Sequence, residues 1–167
     1  MSRQLDSERE WIAHAREYCS RIDHGSATNV RVFRRGETTL CLVLKRESAR
    51  AIALLDAVDH QTGLIRTEQR FLLPKYALYQ DSIIVWTLCV RSIFRNRHTL
   101  ELAKNTTWNV RTPFFSTHFE GDAQDGSRVL GRVGQRVSEW LRLVHPDRDS
   151  EPFLAALAFM HRQWYRR

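Results

Sequence analysis

The sequence predicts an α+β fold: an antiparallel sheet built from two hairpins plus one further strand, with helices packed on one face and two C-terminal helices. Three observations lead there. Apolar residues alternate at period two over 29–45, 82–95 and 99–110, they recur at three and four over 7–22, 47–60 and 127–144, and the two periods succeed one another along the chain.

In chain order, Ser7 and Glu10 form an S-x-x-E capping box ahead of Trp11, Ile12, Ala15, Tyr18, Cys19 and Ile22, which predicts a first helix over 7–22 ended by Gly25 and Ser26. Val30 and Val32, then Leu40, Leu42 and Leu44, flank a turn at Arg35-Gly36 and predict the first hairpin. Ile52, Leu55 and Val58 predict a second helix over 47–60. Residues 64–74 form a weaker strand, stopped by Pro74. Ile84, Trp86, Leu88, Val90 and Phe94 share one strand face, and Leu100, Leu102, Thr106, Trp108 and Val110 share another, predicting a long second hairpin. A loop over 111–125 follows. Val129, Val133, Val137, Trp140 and Val144 are spaced for a helix over 127–144, and Ser150 with Pro152 opens a last helix, apolar nearly all round from Phe153 to Met160.

A length of 167 residues, 43% apolar content and no Pro/Gly/Ser-rich linker predict a single domain over 1–167. The charged start MSRQLDSERE has no apolar h-region, and no apolar run approaches the ~20 residues of a spanning helix, so no membrane partner is expected. Cys19, Cys41 and Cys89 are an odd number without CxxC spacing, which suits reduced core residues in a cytoplasmic protein. The net charge of +7 is concentrated: +5 of it falls in residues 61–111. Only Lys45, Lys75 and Lys104 are lysines among the 26 basic residues, and arginine is the side chain that grips phosphate bidentately.

The strongest candidate site is the pair of arginine-rich hairpin tips, Arg31, Arg34 and Arg35 with Arg91, Arg95 and Arg97, beside a helix-face stripe of Arg128, Arg132 and Arg136. If both tips emerge at one end of the sheet, their charges sum into a phosphate clamp. Charged turns also keep strand edges from pairing with other chains, so the same residues have a purely structural explanation. Adjacent Phe114 and Phe115 cannot both point inward in an extended segment, which makes one of them a candidate for base stacking or partner contact.

Other chemistry finds little support. Glu101 and Lys104 are three apart and fall on opposite strand faces, against a D…ExK metal site with Asp81. His118 and Glu120 have the right parity, but no CxxC accompanies them. His14, Cys19 and His24 scatter around a helix. No nucleophile elbow, P-loop or dinucleotide fingerprint is present, and no metal or cofactor is expected. The expected function is a small basic nucleic-acid-binding protein or nucleoprotein subunit. The alternatives are a protein-binding adaptor or chaperone-like subunit, and an enzyme whose site, around Asp81, His118 or Glu120, is not linear in sequence.

Overall fold

A computed structural model of the chain describes residues 16–23, 29–34, 39–92, 97–102, 106–111, 117–134, 136–143 and 151–165. Twelve antiparallel strands form one closed barrel: β1 (Arg16–Ile22), β2 (Val30–Arg34), β3 (Thr39–Ser48), β4 (Ala51–Asp56), β5 (Gln61–Gln69), β6 (Lys75–Gln80), β7 (Ile83–Ser92), β8 (Arg97–Leu102), β9 (Thr106–Arg111), β10 (His118–Ala123), β11 (Arg128–Val133) and β12 (Val137–Leu143). Each strand pairs with its sequence neighbour, and β1 pairs with β12, Tyr18 opposite Trp140, to close the ring. Closure leaves no exposed sheet edge. Register shifts recur in every pairing from β2–β3 to β7–β8. Such bulges bend strands and increase their twist, which helps a sheet curl shut.

Among the described residues one helix, α1 (Glu151–Tyr165), fills the lumen. Phe153 through Arg162 are all buried, and α1 packs against β1, β2, β3 and β7 among others. Phe153 packs on Trp108 of β9, Phe159 on Tyr76 of β6 and Trp86 of β7, Trp164 on Phe119 of β10 and His98 of β8, and His161 bonds to Ser20 of β1. An eight-stranded barrel is filled by its own side chains, whereas a wider ring leaves room that something must occupy. A helix about 10 Å across and roughly 22 Å long fits that room. The Trp86 Nε1–H donates to the Pro152 carbonyl at 2.8 Å and holds the first turn of α1 against β7. Outward strand positions carry Arg21, Arg31, Lys45, Glu101, Asn109 and Arg128, all exposed.

The α+β expectation is therefore corrected to a β-barrel around one helix. The helix expected over 7–22 is strand β1 where it is described, that over 47–60 is the end of β3 with β4 and its turn, and that over 127–144 is β11 and β12. The cause lies in the lumen. Small residues stand at inward positions, Ser20 against His161 of α1, Gly131 under the Phe119 ring and Ser138 beside Trp140, where larger apolar residues would have shown a period of two. At 52–58 the spacing that suggests a helix spans the β4–β5 turn, where the Asp56 carboxylate accepts from the Val58 and His60 amides. The two expected hairpins are consecutive staves of the barrel rather than separate units, and only one of the two expected C-terminal helices exists.

Candidate functional site

An up-and-down barrel sends alternate connections to opposite ends. β2–β3 opens at one end and β7–β8 at the other, so Arg34 faces one way along the axis and Arg91 and Arg97 the other. The expected summing of the two tips is corrected by this topology. Arg35, Arg95, Phe114 and Phe115 lie outside the described residues. Arg31, in the half of β2 away from Arg34, is bound by its Nε and Nη2 to the Asp23 carboxylate at 3.0 and 2.6 Å. The expected helical stripe is a strand pattern instead: Arg128 and Arg132 share the outer face of β11, and Arg136 lies in the turn to β12.

A different order replaces it. With each described residue assigned to the nearer end of its strand, the half where α1 ends carries fourteen Lys and Arg against five Asp and Glu, net +9, and the opposite half four against eight, net −4. The barrel is polarised along its axis. Every odd-to-even connection lies at the positive end, which gathers Lys45, Arg46, Arg50, Arg66, Arg70 and Lys75 from β3 to β6 with Arg91, Arg97, Arg111, Arg132 and Arg136 further round. Mutual repulsion of that many charges weakens the folded state, an arrangement that an anionic partner relieves.

Two clefts concentrate the charge. On the outer face of β7 to β9, an open cleft of about 430 Å³ is lined by Arg91, Arg97, Thr99, Asn109, Arg111 and Asp122 among others. Arg97 stands directly opposite Arg111 across β8 and β9. Like charges so placed destabilise a sheet. Arg111 is held by Asp122 at 2.9 Å and Glu120 at 3.2 Å, and Asp122 also accepts from Arg128 Nε at 3.2 Å. Arg91 Nε donates to Thr99 Oγ1 at 3.0 Å, while the Arg97 side chain has no hydrogen-bond or ion-pair partner among the described residues. At the positive mouth, a smaller cleft of about 180 Å³ between the β3–β4 and β5–β6 connections is lined by Arg50, Arg70 and Arg162 with Ser48 and Thr67. Backbone amide Thr67 donates to the Arg50 carbonyl at 3.0 Å and ties those two elements together.

Arg50, Arg70, Arg111 and Arg162 are the residues that sequence reasoning missed, because nothing in their spacing shows that a barrel will gather them. Asp81 lies in the β6–β7 turn at the acidic end, away from His118 and Glu120 on β10. Among the described residues no three His, Cys, Asp or Glu side chains come together in a way that could hold a metal ion.

Fold and charge together define an up-and-down barrel threaded by its own C-terminal helix, with a cationic end. Comparison with protein-family models, curated proteins and solved structures found no match to this chain.

Proposed function

We propose that this protein binds nucleic acid by its phosphate backbone, using the positive half of the barrel and the Arg91–Arg97–Arg111 cleft as its main grip. The segregation of charge along the barrel axis carries this reading. Arginine at close spacing, one of them without a side-chain partner among the described residues, suits bidentate contact with phosphate oxygens. Base-specific contact is not part of the proposal, since the clefts expose guanidinium groups rather than a helix or ribbon shaped for a groove.

Fluorescence anisotropy of labelled single- and double-stranded DNA and RNA at two salt concentrations tests it, with wild type beside Arg97→Ala/Arg111→Ala and Arg34→Ala. Binding that weakens steeply with salt, with a shallower slope in the double variant and an unchanged slope in Arg34→Ala, supports the reading. Failure to bind any of the four, or equal loss in both variants, sinks it. A protein adaptor would then be the better description.

A further inference from the structure

We propose that the β5–β6 loop is an interfacial anchor, in which Phe71, Leu72 and Leu73 enter the headgroup region of an anionic bilayer while the basic residues around them bind lipid phosphates and carboxylates. The loop projects from the positive end. Phe71 is 83% exposed, Leu72 86% and Leu73 42%, the largest apolar exposure at that end among the described residues. Leu72 sits at φ 64, a left-handed conformation that a leucine rarely adopts. Gln69 Nε2 donates to the Phe71 carbonyl and Val90 N to the Pro74 carbonyl, so both sides of the tip are braced. A braced loop that holds apolar side chains out in water is built for contact.

The surroundings name the partner. Arg70 and Lys75 flank the tip, both exposed and neither with a side-chain partner among the described residues, and Arg50 lies in the adjoining β3–β4 turn. A convex tip of three side chains ringed by cations matches a surface that is negative outside and apolar beneath. A phosphate backbone would satisfy the cations and leave the apolar tip in water, and three side chains are far fewer than the 20–30 residues a side of a typical stable protein interface. The opposite end supplies a control. Val58 at 68% exposure and Ile83 at 67% are apolar too, but Asp56, Asp59 and Asp81 surround them, and an anionic surface repels that end.

The inference rests on the same charge polarity as the nucleic-acid reading but on a separate loop, so the two fail separately. The full chain is sedimented with vesicles of phosphatidylcholine, with and without phosphatidylserine, as wild type, Phe71→Ser/Leu72→Ser and Val58→Ser/Ile83→Ser. The expected result is binding only to the serine-lipid vesicles, weakened about tenfold or more in the loop variant and unchanged in the acidic-end variant. Brominated lipid should quench Phe71→Trp more than wild type, which reports insertion even if the serine variant folds poorly. No binding of wild type to anionic vesicles, or full binding by the loop variant with no extra quenching in Phe71→Trp, overturns the inference. Oligonucleotide binding retained in that case leaves the proposed function standing.

Discussion

Ser20 and His161, 141 residues apart, meet at 2.6 Å between Oγ and Nδ1 where α1 crosses the inner face of β1. The other ring nitrogen, Nε2, lies 3.2 Å from the Gly134 carbonyl in the β11–β12 turn. A carbonyl can only accept, so the neutral ring carries its proton on Nε2 and takes the Ser20 hydroxyl hydrogen at Nδ1. One imidazole thus ties the helix to the seam at which the barrel closes.

Burial pushes the His161 pKa down to about 4, opposed only by the Gly134 hydrogen bond. A histidine in the unfolded chain titrates near 6.5, so between those values the unfolded state holds more protons and stability rises with pH. The contribution is complete above about pH 6.5 and is lost as pH falls toward 4, in total about 3 kcal/mol. Urea unfolding at steps across this window should show that slope in the wild type and a flatter one in His161→Gln. An equal slope in both would remove His161 as the cause.

Two buried tryptophans with equal exposure should respond differently to the loss of the indole N–H. Trp86 donates to the Pro152 carbonyl, whereas Trp108 Nε1 has no partner among the described residues. Trp86→Phe should therefore destabilise by about 1 kcal/mol more than Trp108→Phe. Denaturant midpoints of the two variants in parallel check this, and equal losses would mean that the hydrogen bond contributes nothing net.

Gly131 lies opposite Phe119, and a Cβ at Gly131 would collide with the Phe119 ring. The Phe119 ring covers the glycine and packs on Trp164, 5.2 Å away between centroids. Gly131→Ala should push the ring off the end of α1, cost about 1–3 kcal/mol and change tryptophan emission. Adding Phe119→Leu should recover part of the loss, which calorimetry on the single and double variants can read.

Stability and binding should move in opposite directions at Arg97. Arg97→Thr removes a like-charge neighbour of Arg111 and places a good strand former, so stability should hold or rise by up to about 1 kcal/mol. Oligonucleotide binding should lose about one unit of salt slope. Asp122→Asn, which frees Arg128 and leaves Arg111 with Glu120 alone, should instead strengthen binding two- to threefold at low salt, by about 0.5 kcal/mol. Thermal melts and anisotropy on the same preparations decide both points.

The buried C-terminal helix, the antiparallel staves around Val30–Leu44 and Trp86–Val110, and the basic excess in 61–111 could be read from the sequence, because each is local: an apolar run, an alternation, a count of charges. Whether 127–144 is helix or strand could not, since Gly131 is small because the Phe119 ring lies over it, and Ser138, a buried polar residue on the same face of β12 as Trp140, breaks the apolar alternation. The grouping of charge was hidden for a similar reason. Arg31 and Arg34 are three residues apart yet fall in opposite halves of the barrel, and Arg70 and Arg162, 92 residues apart, line one cleft. The sequence by itself determined how much positive charge and how much apolar surface the chain carries. The tertiary structure alone decided where they go, because closing the ring around a helix assigns every residue to a face and an end according to its place on a strand, and no local pattern encodes the even or odd position of that strand in the barrel.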